Sequence, residues 1–283
     1  TSSPELAVSV RSGLAGQADI ALGNVVGSNI FNVLAVLGLS ALIAPLLVKQ
    51  QLVRFEVPLV VGISVLILVM VQDGRVGALD GLLLVGGLTA YTVFVIRQSR
   101  REAAAVKAEY AGEFGDAAAG WLAHLPVQVA CVLGGLGLLV LGATWLVDSA
   151  VSIARALNIS DAVIGLTIVA TGTSFPELAT SVVAAMRGER DIAVGNVVGS
   201  SMFNLLGILG VAALVTPGGL AVAPALVNFD IPVMIAVAFA CLPIFATGHR
   251  IARWEGAVFL IYYVVYVAYL VLAATQHDAL QSF

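Results

Sequence analysis

Two segments of this chain bring a carboxylate, hydroxyls and a side-chain amide into otherwise apolar sequence. In one, Thr173 and Glu177 are i, i+4 and Ser174 and Glu177 are i, i+3, so their oxygens share one face of a helix. Ser200 and Asn204, one helix later, are again i, i+4. The other segment opens the chain with the same residue types in the same order. Thr1, Ser2, Glu5, Ser28 and Asn32 each stand 172 residues before their counterparts. Pro4 and Pro176, Ser9 and Ser181, Asp19 and Asp191, and Asn24 and Asn196 keep the same offset. So many identities at one offset mark an internal duplication.

The chemistry open to these groups is cation coordination. An ionisable residue inside an apolar helix is costly unless paired, hydrated or protonated, so function is the default reading for Glu5 and Glu177. Pro176 removes an N–H and Gly172 loosens the same turn, which frees carbonyls from Val169 to Thr171, with Ala170 as the candidate ligand. Crossed about a pseudo-twofold axis, the two copies would surround one cavity with two carboxylates, two amides, hydroxyls and carbonyls. That is a hard-cation set of the kind calcium takes. Two carboxylates balance one divalent ion, and they could equally hold Na⁺ ions one at a time. The motif has no His, Cys or Met ligand set, which argues against zinc, copper or iron.

The elements that position these groups are membrane helices. Hydrophobic residues make up 60% of the chain and charged residues 11%, against about 25% charged in a soluble domain. The apolar stretches are long and unalternating, so the fold class is an all-α integral membrane protein rather than a barrel. Cys131 and Cys241 lie in apolar stretches and suggest neither a disulfide framework nor a zinc site. Helices are expected at about 1–16, 18–46, 54–72, 78–98, 126–150, 160–187, 190–215, 229–247 and 255–274, with a polar connector between 99 and 124. The helix at 126–150 has no partner ahead of the first motif. The reading therefore expects ten transmembrane helices in two sets of five. About nine are present here, the first helix and the start of the second lying outside this sequence.

The motif helices are then five apart, an odd number, so the halves enter the membrane in opposite directions. This is the inverted repeat of many secondary transporters. Alternating loops place Lys49, Arg54, Arg97, Arg100, Arg101, Lys107, Arg187, Arg190, Arg250 and Arg253 on one side and only Arg11, Arg75 and Arg155 on the other. By the positive-inside rule the central 99–125 loop is cytoplasmic and the C-terminus faces out. The organisation is a first half at 1–98, a short cytoplasmic linker at 99–125 and an inverted second half at 126–283.

The paired G-T-S-x-P-E and G-N-x-x-G-S-x-x-x-N motifs resemble the α-repeats of the sodium/calcium exchanger branch of the calcium/cation antiporter superfamily, prokaryotic type. The resemblance covers essentially the whole chain. It implies a ten-helix inverted-repeat fold and sodium-driven calcium antiport by alternating access in the plasma membrane. It also implies that Glu5 and Glu177 are the central Ca²⁺ ligands and help hold Na⁺. Thr1, Ser2, Thr173, Ser174, Ser28 and Ser200 would line the Na⁺ sites, and Asn32 and Asn204 would flank the centre. Some relatives carry Asp at the position of Asn204, notably potassium-dependent ones, so Asn in both copies resembles the potassium-independent type.

No enzymatic role is expected, since no nucleophile–base pair accompanies the glutamates, and no cofactor is expected beyond the transported Ca²⁺ and Na⁺. The implied partners are inorganic cations and the bilayer, with no nucleic acid and no obligatory protein. A Ca²⁺/H⁺ exchanger using the same glutamates is the alternative, and a passive cation channel a remote one. Asn24 and Asn196 read as packing or hinge residues. Glu56, Asp230, Asp80 and Glu255, at helix ends, read as interface anchors. The glycines of GNVVGS (Gly23, Gly27, Gly195, Gly199), spaced four apart within each copy, read as close helix-packing points.

Overall fold

The structure is a computed structural model and describes residues 1–113, 125–156 and 161–281. Its helices in chain order are α1 (Ser3–Leu14), α2 (Ala18–Ile43), α3 (Leu52–Asp73), α4 (Ala78–Glu113) and α5 (Leu125–Ala156). After these come α6 (Gly165–Thr173, entered from Asp161–Ile164), α7 (Phe175–Met186), α8 (Arg190–Val215), α9 (Leu226–Ala246) and α10 (Arg253–Gln281). Among the described residues six helices are long and apolar enough to cross a membrane, and α6 with α7 makes a seventh as a bent pair. The expected count of about nine also takes in α1, which is only 12 residues long, and α5.

The connector differs from its sequence expectation. Helix α4 does not stop at Gln98 but continues to Glu113, because the polar run is rich in Ala, Glu, Lys and Arg, all good helix formers. Residues 114–124 lie outside the described residues.

Helices α1 to α4 and α7 to α10 are the two copies of the repeat, and short two-residue ladders show how the copies are oriented. Strands β1 (Leu46–Leu47) and β4 (Arg250–Ile251) pair antiparallel, as do β2 (Arg75–Val76) and β3 (Leu220–Ala221). β1 and β3 are equivalent by the repeat, as are β2 and β4. Helix α3, 22 residues and roughly 33 Å long, separates β1 from β2. β3 pairs with β2, so the equivalent strands β1 and β3 sit at opposite ends of the molecule. The halves are therefore inverted.

Other contacts group the loops the same way. Lys49 pairs with Asp191 at 2.7 Å, and the Arg253 guanidinium donates to the Ile43 carbonyl at 3.2 Å, both at the β1–β4 end. At the other end Gly13 packs on Thr216, beside the turn into β3. The basic-rich loops assigned to one side from sequence, where their positions are described, thus gather at one end of the helices.

The last helix of each half lies across the other half. Helix α10 packs on α2, where a Cβ on Gly256 would lie 2.7 Å from the Gly38 carbonyl oxygen. Helix α4 packs on α8, where a Cβ on Gly81 would lie 2.7 Å from the Gly210 carbonyl oxygen. Only glycine permits backbones this close.

Two of the repeated acids have a local task. Asp80 accepts from the Gly77 N–H at 2.8 Å, and Glu255 from the Ala252 N–H at 2.7 Å. Each is the third residue of its helix reaching back to the cap position, which satisfies an N–H the helix leaves free. Asp230 departs from the reading as an interface anchor. It is buried, and the Tyr266 hydroxyl donates to its carboxylate at 2.9 Å. The tyrosine comes from α10, which the sequence could not place beside the start of α9.

Candidate cation site

The motif helix is broken rather than merely loosened. Read from sequence, residues 160–187 form one helix with Glu177 near its middle. The structure widens Gly165–Val169 into a π-helical turn, ends α6 at Thr173 and restarts the chain as α7 at Phe175, bent by 52°. Ser174 at the break has φ −89° and ψ 10°, and Ser2, its counterpart before α1, has φ −73° and ψ 21°. Pro4 and Pro176 then fall in the first turn of a helix, where a missing N–H costs nothing. Glu5 and Glu177 follow them in that turn, so the positive end of each helix dipole faces its carboxylate.

The two copies cross through these serines. Ser2 donates to Glu177 Oε1 at 2.9 Å, and Ser174 donates to Glu5 Oε1 at 2.9 Å. Each carboxylate is thus held by the hydroxyl of the opposite half. Ser200 donates to Glu177 Oε1 at 3.3 Å and lies 3.5 Å from the Thr1 hydroxyl. Its repeat partner Ser28 instead donates to the Ala170 carbonyl oxygen at 3.4 Å, which also accepts from Thr173 at 3.3 Å. The expected carbonyl therefore meets hydroxyls from both halves.

Asn32 and Asn204 each begin a π-helical segment, Asn32–Leu37 and Asn204–Ile208, inside α2 and α8. Such single wide turns recur at functional sites because they displace a side chain from the regular helical face. Both asparagines are completely buried, as are Ser28, Ser174 and Glu177, with Glu5 and Thr173 nearly so. Of the expected residues only Thr1 is exposed.

Glu5 Oε2, Glu177 Oε2 and both amide atoms of Asn32 and of Asn204 are buried with no hydrogen-bond partner among the described residues. A buried polar atom without a partner costs roughly 1–3 kcal/mol. Six of the nine such atoms among the described residues fall in these four side chains, which pair at one offset and fit a cation between the halves; the other three belong to Asn29, Ser40 and Ser201. No cluster of three or more His, Cys, Asp or Glu residues suited to a metal occurs among the described residues.

Asn24 and Asn196 pack neighbouring helices together, as read from sequence, and do so through specific hydrogen bonds. Asn24 Nδ2 donates to the Glu5 carbonyl oxygen at 3.1 Å and to Ser9 Oγ at 2.9 Å, while its Oδ1 accepts from Thr173 at 2.9 Å. Asn196 Nδ2 makes the equivalent contacts to Glu177 O at 3.3 Å and Ser181 Oγ at 3.0 Å. These amides clamp each glutamate's backbone to the next helix. The Glu–x₃–Ser spacing and its repetition were the signals available in sequence.

Gly27 does not act like Gly195 and Gly199. A Cβ on Gly27 would lie 2.4 Å from the Leu166 carbonyl oxygen and 2.8 Å from Ala170 Cβ, so α2 presses directly on the π turn before Ala170. A Cβ on Gly195 or Gly199 would meet nothing within 4 Å among the described residues, and both glycines border an open groove of about 390 Å³ shared with Thr1, Ser2 and Ser200. The repeat in sequence thus does not carry an equal packing role.

Comparison with known proteins gives a consistent picture. The family model described as sodium/calcium exchanger protein matches residues 1–97 and 127–272. A putative antiporter, CaxA of Alkalimonas amylolytica, is 36% identical over 271 residues, covering 94% of this chain and 83% of the relative. The sodium/calcium exchanger MaX1 of Methanosarcina acetivorans is 44% identical over 132 residues, 47% of this chain and 37% of the relative. A solved structure of the sodium-calcium exchanger NCX_Mj, soaked with Na⁺ and Ca²⁺, superposes with a TM-score of 0.71 at 32% identity, covering 94% of this chain and 82% of that one.

Proposed function

Because the chain belongs to the sodium/calcium exchanger protein family, we propose that it is a secondary antiporter that exchanges Na⁺ for Ca²⁺ by alternating access. The observation that carries this reading is the crossed pair of carboxylates. Each is anchored by the other half's serine, and each keeps one buried oxygen without a protein partner. Two negative charges balance one Ca²⁺, or more than one Na⁺, so the two cargoes compete for one cage. The neutral oxygens of Thr1, Ser2, Ser28, Thr173, Ser174, Ser200 and Ala170 would complete the Na⁺ shells, and Asn32 and Asn204 would flank the centre. One site between inverted halves supports alternating access, since rocking the halves about it exposes it to one side at a time.

In this reading the β1–β4 end, with Lys49, Arg187, Arg190, Arg250 and Arg253, faces the cytoplasm of a cell whose plasma membrane holds the protein. The linker at 99–125 then lies inside and the C-terminus outside. Exchange of more than two Na⁺ per Ca²⁺ makes the cycle electrogenic. With Asn rather than Asp at 204 the centre has two acids, and no K⁺ is required.

Calcium uptake into Na⁺-loaded proteoliposomes tests this. Uptake that needs the outward Na⁺ gradient, generates a membrane potential and persists when K⁺ is omitted is the expected result. Uptake that ignores Na⁺ and follows a pH gradient would move the function to Ca²⁺/H⁺ exchange. Passive flux without any countergradient would indicate a channel. A requirement for K⁺ would overturn the potassium-independent assignment.

Serine variants separate the cargoes. Ser28→Ala removes a neutral oxygen beside the Ala170 carbonyl and leaves both carboxylates. It is expected to raise the Na⁺ concentration for half-maximal exchange several-fold with little change in that for Ca²⁺. Equal losses for both ions would contradict distinct Na⁺ positions.

A further inference from the structure

Tyr263, in the last helix α10, is not part of the repeated motif, yet it touches the chain neighbours of two residues of the cation site, Ala170 and Asn32. Its hydroxyl shares a hydrogen bond of 2.8 Å with Thr171 Oγ1. Thr171 directly follows Ala170, the residue whose carbonyl receives the Ser28 and Thr173 hydroxyls. The Tyr263 ring meets Phe31 edge-on, with centroids 5.4 Å apart and planes at 72°. Phe31 directly precedes Asn32. One rigid side chain thus links the segment between the π turn and the break to the helix that carries the buried amide.

The packing of α10 makes this link firm. The Gly38–Gly256 contact fixes α10 against α2 at backbone distance. Seven residues along each helix from that contact, two turns, stand Phe31 and Tyr263. Tyr263 is therefore presented by a helix whose register is locked, whereas α6 is short and ends at the break. A bond from the fixed helix to Thr171 restrains a segment that its own helix holds poorly.

The other half lacks this device. The repeat offset of 175 in the last helices, which pairs Gly81 with Gly256, brings Tyr263 onto Leu88. Leu88 packs beside Gly207, where a Cβ would lie 3.0 Å from its Cδ2, and it carries no hydroxyl. The pinning is an asymmetric addition to a symmetric site.

We propose that Tyr263 is a positioning residue for the cation site, acting through Thr171 to aim the Ala170 carbonyl and thereby setting the preference of the site for Na⁺ over Ca²⁺. The proposal rests on the antiport reading above. The cage around Ala170 consists of neutral oxygens. Ca²⁺ leans on the two carboxylates, which Tyr263 does not touch, so loss of the link falls mainly on Na⁺.

Tyr263→Phe keeps the ring on Phe31 and deletes only the hydroxyl, and Thr171→Val deletes the other partner at nearly constant shape. Both variants, the double variant and Thr171→Ser are compared with the unaltered protein in proteoliposomes. The Na⁺ and Ca²⁺ concentrations for half-maximal exchange are read, alongside the melting temperature as Na⁺ is raised. The expected result is a rise in the Na⁺ value of roughly 3- to 10-fold for Tyr263→Phe, the scale of one hydrogen bond, with the Ca²⁺ value changed less than about 2-fold. Thr171→Val should match it, the double variant should be no worse than either, and Thr171→Ser should restore the bond. An unchanged Na⁺ value, equal losses for both ions or additive effects in the double variant would overturn the proposal. Exchange by the unaltered protein that ignores Na⁺ would sink the antiport reading and this proposal together. Unchanged behaviour of the variants beside a working parent would sink this proposal alone.

Discussion

Glu177→Gln is expected to abolish Ca²⁺ transport while leaving the protein folded. The amide oxygen can keep the hydrogen bonds that Glu177 Oε1 receives from Ser2 and Ser200, so the crossing of the halves survives. What changes is the other oxygen, which is buried and has no protein partner. An NH₂ group there directs hydrogens at the cation, and the charge facing a divalent ion falls from two to one. An uncompensated buried charge costs roughly 3–5 kcal/mol, so Ca²⁺ flux should fall by at least about 100-fold. Glu5→Gln should do the same, because Ser174 holds it as Ser2 holds Glu177. Flux of radioactive calcium in proteoliposomes, with melting temperature as the folding control, measures both. Near-normal exchange in a folded variant would remove that glutamate from the site.

Gly27→Ala should be severe where Gly199→Ala, its repeat counterpart, is mild for stability. A Cβ on Gly27 meets the Leu166 carbonyl oxygen at 2.4 Å and Ala170 Cβ at 2.8 Å, contacts that real side chains do not tolerate. Neither is the end of a flexible chain, so α2 must move away from α6 and carry Ser28 away from the Ala170 carbonyl. Overpacking of this kind costs about 1–3 kcal/mol. A Cβ at Gly199 would meet nothing within 4 Å among the described residues, and in a helix Ala is intrinsically preferred to Gly by about 1 kcal/mol. Melting temperature separates the two variants. Equal destabilisation would show that the close approach at Gly27 does not hold the halves together.

The duplication carried most of the fold in legible form. Matching Thr, Ser, Pro, Glu and Asn at one offset gave both halves, and counting helices between them gave the inversion that β1–β4 and β2–β3 display. The same matching picked out the residues that the structure gathers into the candidate site, because Glu5, Glu177, Asn32 and Asn204 are polar where lipid-compatible sequence admits few polar groups. The break at Ser174 was only half legible. Pro176 announced a missing N–H, but whether a helix kinks or restarts depends on what the neighbouring helix offers its free groups, here Ser2 and Glu5. The π turns were invisible, since a turn widened by one residue leaves composition unchanged. Asp230 and Tyr266, like Thr171 and Tyr263, meet only because α10 folds back against α9 and α6 of its own half, a long-range fact that no local pattern encodes. The unequal glycines teach the same lesson: Gly27 and Gly199 share a motif, and their neighbours decide what each does.

The central claim is that one cage, shared by both halves, holds Ca²⁺ or Na⁺ but not both. Equilibrium binding of radioactive calcium to the purified protein, titrated with Na⁺ at constant ionic strength, addresses it directly. The account predicts one Ca²⁺ per chain, displaced by Na⁺ with a dependence steeper than one for one, because more than one monovalent ion is needed to balance two carboxylates. Calcium binding that is indifferent to Na⁺ and yields only to protons would contradict it.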